Sequence, residues 1–527
     1  MKKYLINRIL RSIVSIILVV AIVMILIYSL LNRDMIFAQD PMYTKVSNNQ
    51  QVIYKYRNWK NYGYIDYVPY TDWLQDLCNK GEIDEETRRA ASSFGRKEEN
   101  DSDIVKEYIA KFEAYCAENG YMVQRLNAVT NRNKLAPGGA QQLFAYRDRS
   151  LLLRLWNYFT GLIQVDNVHN VDDPEFDGER KLNFTWKDPA YGGEKFSPAV
   201  TGNGTTHKYL VYFNNKFPYI HQNLMFLNLG KSYSGNNKDQ DVYEIMTTTQ
   251  GNWVQSVITY PTGLQENSAD DLHTAVYVAG SLEGNPVLQA RFTDNYTSTQ
   301  TVKDSFSRIG YSFVIAIIST VLAYMIGLPI GLWMALKKDK LVDKIGTAYI
   351  VFITAVPGVG YILMFKAAGA ALGLKTTFQM TEANTNMSYW VLPIISLALP
   401  WVAGLMRWLR RFMIDQMNAD YVKFARSGGL SEGEIFRKHI FKNAMIPIVH
   451  GIPGAILGAM AGAFITEKVY TVPGIGGLLI NAINQYDNGV IVGVTLFYAT
   501  ITVVSLILGD VLMSLVDPRI NFTAKAR

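Results

Sequence analysis

Apolar positions in this chain gather into long unbroken runs near its two ends, with a mixed polar stretch between them. Six runs lack Asp, Glu, Lys and Arg: 13–31, 309–336, 345–365, 388–406, 444–466 and 489–509. Each holds 19 residues or more, enough to cross about 30 Å of hydrocarbon at about 1.5 Å per helical residue. A soluble helix seldom carries such a run, because one of its faces meets water. The pattern predicts an α-helical polytopic membrane protein with six transmembrane helices. The first run follows Lys2, Lys3, Arg8 and Arg11, as a signal peptide would, but it exceeds the usual apolar core of about 7–15 residues. It is expected to be a retained anchor.

Between the first and second runs lies a stretch with a different rhythm. Segments 71–79, 84–94 and 103–118 read as helices, with Asp84 and Asp103 suited to a first helical turn. KYLVYF (208–213), WVQSVITY (253–260) and TAVYVA (274–279) read as strands among Gly, Asn and Pro breaks. An α+β domain is therefore expected over 32–307. LLLRLWNYFTGLI (151–163) suits either the membrane surface or the interior of that domain.

Charge fixes the orientation. Lys and Arg crowd the cytoplasmic ends of spans. With the N-terminus inside, segments 1–12, 337–344, 407–443 and 510–527 carry 19 basic residues, whereas the short outer loops carry only Lys366, Lys375 and Lys468. Both termini are then cytoplasmic and 32–307 is extracellular. That outer segment has 28 Lys and Arg against 34 Asp and Glu, so the overall +6 comes from the remainder. The basic balance reflects topology and gives no reason to expect nucleic acid. The expected division is 1–31, N-terminus and first helix; 32–307, inserted outer domain; 308–527, membrane core.

Candidate chemistry is sparse. The two cysteines, Cys78 and Cys116, lie in the outer part, where a disulfide is permitted. No Cys/His spacing suggests a metal site. His450 falls inside a run, where it either lines a pathway or packs. A phosphate-binding loop needs G-x-x-x-x-G-K-[ST]; around Gly230-Lys231-Ser232 the first glycine is replaced by Met225. There is no G-x-S-x-G or H-E-x-x-H. The runs contain no acids, which disfavours an ion-coupled carrier. Uphill transport would need energy from another chain, and no cofactor is expected in this one.

The informative piece is the inner segment 420–447. Tyr421, Phe424 and Ala425 have the spacing of one face of a short helix. Gly428-Gly429 ends that helix and leads through Leu430 to Ser431, which with Glu434 has the form of a capping box opening a second helix. Such an element suits docking into a groove on a partner. A basic loop meeting anionic lipid explains the Arg and Lys but not the glycines or the cap.

This segment resembles the EAA loop of bacterial ABC import permeases, in its oligopeptide/dipeptide form D-Y-x-x-x-A-R-x-x-G-L-S followed by R-N-A-x-x-P. Ala425, Arg426 and Gly429 match; Asn443 and Pro447 match the second piece, where Lys442 replaces Arg. Lys423 stands where the general motif has Glu. The likeness continues through Glu467, Pro473, Gly474 and Gly476 to Asp510 and Asp517-Pro518-Arg519, and it includes YLINR (4–8). NYFTG (157–161) and LGKS (229–232) look like two halves of one short outer loop with extra sequence between them. It covers residues 1–31 and 302–527, and the large insertion resembles that of Gram-positive Ami/Opp permeases.

The resemblance implies a type I ABC importer permease fold and oligopeptide import. A second homologous permease would form the other half of the path. Two ABC ATPase subunits would bind ATP and Mg, and each would hold one such loop. An extracellular lipid-anchored binding protein would deliver peptides. Tyr421, Phe424, Ala425, Arg426, Gly428, Gly429, Leu430, Ser431 and Glu434 would couple to the ATPase. Two other readings are a permease for nickel or another small solute, and a channel or sensor with an outer ligand domain.

Overall fold

The computed structural model describes residues 2–95, 97–132, 134–165, 182–187, 194, 199–202, 209–213, 220–222, 225–233, 237–247, 256–259, 263–268, 272–277, 280, 282–291, 297–302, 307–383 and 386–516. The first run belongs to α1 (Lys2–Leu30).

After two short helical turns (Arg33–Phe37 and Pro41–Lys45), the segment beyond α1 contains α2 (Asn48–Asn61), β1 (Ile65–Pro69), α3 (Tyr70–Asn79), α4 (Glu85–Ser92), α5 (Asp103–Glu118), β2 (Met122–Leu126) and β3 (Gln142–Asp148). The three expected helices are α3, α4 and α5. Asp84 caps α4 by accepting the Thr87 N–H, and Ser102, one residue before Asp103, caps α5 through the Val105 N–H. The strands were not anticipated in this half. They form an antiparallel sheet in the order β1-β3-β2. Its two faces bury Phe144 against Trp59, Ile65 and Tyr67, and Leu143 and Ala145 against Tyr70, Leu74 and Phe112. β3 therefore alternates between two cores, as period-two side chains require. Cys78 and Cys116 are free thiols, and Cys116 is buried in the second core, which pushes its thiol pKa up to about 11.

Next comes α6 (Leu151–Gly161), then β4 (Ile163–Val165), which pairs antiparallel with β5 (Met225–Leu227). The Asn228 N–H also reaches Leu162 O. The chain thus leaves after 165 and returns at 225 beside its exit point, with Leu162 packed in the same apolar cluster as Leu229. In the interval, Leu182–Thr185, Ala199–Gly202, Tyr209–Phe213 and Ile220–Gln222 form a four-stranded sheet. Ser256–Thr259 and Leu272–Tyr277 are also strands. The other residues of the expected β runs, 208, 253–255, 260 and 278–279, lie outside the described ones.

The membrane part comprises α7 (Arg308–Leu336), α8 (Leu341–Ala355), α9 (Gly358–Ala371), α10 (Ser388–Met417), the short α11 (Asp420–Ser427) and α12 (Glu432–Ile435), α13 (Lys442–His450), α14 (Ile452–Tyr470), α15 (Ile475–Asn484) and α16 (Asn488–Val516). Among the described residues, α1, α7, α10, α14 and α16 contain stretches long and apolar enough to cross a membrane, and α8 with α9 makes a sixth if counted as one span. That pair bends by 110°, so run 345–365 is not one straight helix. Pro357 has no N–H to continue the ladder, and Val356 before it is extended (φ −83°, ψ 129°), as sterics before proline favour. Run 444–466 is likewise divided at Gly451, two residues before Pro453.

α7 and α10 pack closely because small residues face the contact. A Cβ on Gly327 would meet Leu405 Cβ at 3.0 Å, and one on Gly331 would meet Met406 Cα at 3.0 Å. Without water to exclude, such close backbone approach is what holds membrane helices together. α1 packs on α16, and Arg8 pairs with Asp510 at 3.4 Å.

The segment between α1 and α7 is fastened to the corner between α15 and α16. Buried Asp487 accepts from Ser232 Oγ and from the Tyr233 N–H (2.9 Å). Asn488 donates to Tyr64 Oη at 2.8 Å. A Cβ on Gly489 would fall 1.9 Å from Lys231 O.

Candidate functional site

α11 follows α10 after a two-residue break. Its inward side is set by Val422, which is buried with Leu409 and Met413 of α10, Ile435 of α12, and Ile440, Ala444 and Ile448. Tyr421 and Ala425 pack on the same cluster, and Tyr421 Oη donates to Gln416 Oε1 at 2.6 Å. Phe424 does not join them: it is 77% exposed. Ala425 lies about 40° from Tyr421 on the Val422 side of the helix, whereas Phe424 lies about 60° to the other side. The expected shared face holds for Tyr421 and Ala425 only, and Phe424 presents a large apolar ring outward.

The turn after α11 is closed by backbone hydrogen bonds. Gly429 has φ +80°, a left-handed conformation that glycine adopts without steric cost. Its N–H reaches Arg426 O (3.1 Å), and the Leu430 N–H reaches Ala425 O (3.2 Å). These are the two bonds of a Schellman cap, which satisfies carbonyls that a helix end otherwise leaves free. Gly428 is the C-cap residue just before it. One residue after Leu430, Ser431 and Glu434 form a reciprocal capping box. Arg426 bridges the two helices with a two-pronged contact to Glu432 (2.5 and 3.0 Å).

The Glu434 carboxyl is held below its usual range, first by the Ser431 hydroxyl, then by the Ser431 N–H and Lys438. The Arg426 guanidinium lowers Glu432. Lowered carboxyl values mean that these ties persist above the ordinary Glu range and are lost as pH falls through the lowered values. The result is a stiff helix–turn–helix with an exposed tip of Lys423, Phe424, Arg426, Ser431 and Glu432.

The second helix runs on through one turn of wider pitch, Phe436–Phe441, into α13. Asn443 is half-buried in α13, and Pro447 is exposed within it. His450 ends α13, and its carbonyl and ring lie against the place where a Cβ on Gly509 of α16 would sit. The tip is therefore continuous with the helix framework.

A second cluster joins the remaining motif residues. Glu467 is 1% exposed near the end of α14. Its carboxylate accepts from Ser312 Oγ (2.5 Å) on α7 and from the Gly477 N–H (2.9 Å) in the first turn of α15. Ser312 Oγ in turn accepts the Ile475 N–H (2.9 Å). A carboxylate at a helix N-terminus meets unsatisfied N–H groups and the positive end of the dipole. Pro473 lies in the connecting turn, and Gly474 is the N-cap of α15. Cβ atoms on Gly474 and Gly476 would lie 2.2 Å from Glu467 Cδ and 2.1 Å from Phe464 Cδ1. Asp510 is on α16 with Arg8, as above. Asp517, Pro518 and Arg519 lie outside the described residues.

Sequence reasoning missed three participants. Ser312 and Asp487 carried no pattern of their own. Asp343 did leave a signal, being one of two acids among the lysines of 337–344. It is buried at the start of α8 and takes both prongs of Arg410 on α10 (2.6 and 2.7 Å), tying the first turn of α8 to α10. Asp343→Ala leaves a partly buried guanidinium unpaired and should cost about 2 kcal/mol. A lower thermal midpoint of the detergent-solubilised protein checks it.

The family described as binding-protein-dependent transport system inner membrane component matches residues 327–522. The oligopeptide transport system permease protein AmiC of Streptococcus pneumoniae is 34% identical over 529 residues, covering 100% of this chain and 99% of AmiC. AppB, an oligopeptide permease of Bacillus subtilis, is 30% identical over 41% of this chain and 71% of its own. DppB, a dipeptide permease of the same organism, is 31% identical over 41% and 68%. Among solved structures, an inward-facing MetNI methionine ABC transporter is 14% identical over 39% of this chain and 93% of its own, with a TM-score of 0.32.

Proposed function

Since this chain belongs to the oligopeptide transport permeases among the binding-protein-dependent inner membrane components, we propose that its work is to form half of an oligopeptide path across the plasma membrane and to receive at 420–447 the motion that drives it. It is a multi-pass permease subunit of the type I ABC importer fold, working with other permease and ATPase subunits. It is not itself an enzyme. ATP and Mg are bound by two ATPase partners. The second permease is a homologue of this chain, and a lipid-anchored binding protein delivers peptide from outside. Six crossings, with α8 and α9 sharing one, put both termini and the 420–447 element in the cytoplasm. Residues 32–307 then form an extracellular domain inserted between the first two crossings.

The observation that carries this reading is the architecture of the inner element. Its base is packed into the α7–α10–α13 core, and its turn is closed by two caps and an ion pair. A push on the Phe424 side is therefore transmitted to α10 and α13 instead of being absorbed by loose chain. Tyr421, Ala425 and Leu430 hold the element to the core. Phe424, Arg426 and the Gly428–Gly429 turn face the ATPase.

Phe424→Ala separates the two roles. An exposed ring contributes little to folding, so the thermal midpoint should stay within about 1 °C, since a surface change away from special features is worth about ±0.5 kcal/mol. Interface aromatics often carry more than about 1 kcal/mol of binding, so co-purification of ATPase subunits and peptide uptake should both drop several-fold. Unchanged uptake and unchanged ATPase recovery would count against the proposed contact.

A further inference from the structure

We infer that α6 lies in the outer membrane–water interface, with one face against α1 and a second apolar face in the lipid. The inference rests on the membrane reading of α1 given above. The inward face of α6 carries Leu155, Tyr158 and Phe159, which pack on Val20, Met24 and Ile27 of α1 and Val492 of α16. The opposite face is also apolar. Leu152 is 79% exposed, Trp156 is 68% exposed, and Leu153 is 44% exposed. Thr160, the polar residue between them, spends its hydroxyl on Trp156 O at 2.8 Å. Asn157, exposed next to Leu153, marks the polar edge of that face, where its amide meets headgroups and water.

Two observations favour lipid over a protein partner. First, the exposed face of α6 adjoins α1, whose own Ile22, Ile25 and Leu26 are exposed at the same end of the helix. α1 buries little of itself within the chain, so the apolar surface runs on from a lipid-facing span to α6. Second, the depth is marked. Arg154 stacks between Tyr28, two residues from the end of α1, and Tyr64 of the outer domain, at 3.6 and 3.9 Å from the ring centroids. Tyr, Trp and Arg together are the side chains that settle at headgroup level. Trp156 lies half a turn beyond Arg154, where an amphipathic interfacial helix places its apolar anchor.

The test uses the full-length chain in vesicles of phosphatidylcholine and phosphatidylglycerol. Nitroxide labels are attached at Leu152→Cys and Trp156→Cys, and at Lys80→Cys as an exposed outer-domain reference, with the unsubstituted chain correcting for Cys78. The first two labels should collide strongly with oxygen and several-fold less than the Lys80 label with an aqueous nickel chelate. Nickel accessibility equal to that at Lys80 would overturn the inference. So would labels immobilised and shielded from both agents, since that pattern means protein covers the face. An undisturbed interfacial signal in a chain that fails to recruit ATPase subunits would retain this inference while sinking the importer reading.

Discussion

Gly429→Val should reduce peptide uptake to near background while the chain still inserts and accumulates in the membrane. Gly429 sits at φ +80°, and among the described residues no atom lies within 4 Å of where its Cβ would be. The penalty is therefore conformational and not a clash. A β-branched residue held left-handed costs about 1–3 kcal/mol, which the turn can escape by abandoning its two cap bonds. At about 1.4 kcal/mol per factor of ten, the capped turn then becomes a minor conformation. The tip loses its fixed relation to α12, and the Arg426–Glu432 contact loses its geometry. Gly429→Asn is the control, because Asn tolerates this region of the backbone and serves at helix ends. Uptake should fall in the order Asn, Ala, Val. Equal uptake by all three would show that the turn's shape is irrelevant to coupling.

The second large effect concerns folding. Gly476→Ala places a methyl 2.1 Å from Phe464 Cδ1 and 2.9 Å from both Phe464 Cα and Glu467 Oε2. Phe464 Cα is backbone of the neighbouring α14 and cannot rotate away. Overpacking of this kind costs about 1–3 kcal/mol. Displacing Glu467 adds the loss of its bonds to Ser312 and Gly477, and a buried acceptor left unsatisfied costs about 1–3 kcal/mol more. The variant should express poorly and unfold at clearly lower temperature in detergent. The adjacent Gly477→Ala meets nothing closer than 3.7 Å; with alanine favoured over glycine in a helix, it should be neutral or slightly stabilising. Similar behaviour of the two variants would remove the steric argument.

The elements legible in the sequence were those with a local cause. Long charge-free runs gave the spans, Asp84 gave a cap, and Ser431 with Glu434 gave a box whose two members lie three residues apart. The Gly428–Gly429 stop was legible for the same reason. What escaped depended on neighbours distant in the chain. Ser312 matters through a glutamate 155 positions away, and Asp487 through Ser232, 255 positions away. Phe424 was placed on the wrong face because spacing permits two directions and only the packing of Val422 selects between them. The 110° bend at Val356–Pro357 also escaped, since the charge-free run 345–365 reads as one crossing and a proline announces a break but not its angle. In the outer domain, β1, β2 and β3 are short and mixed in polarity, and they are strands because β3 has a core on each face.

What touches the tip of the 420–447 element decides whether motion enters the chain there. A photo-crosslinking residue at position 424 of the full-length chain, activated in intact cells and read by the mass of its adducts, addresses this directly. The expected product joins this chain to an ATPase subunit, and it should be lost in Gly429→Val. Adducts only with lipid, or with proteins at the outer surface, would contradict the account.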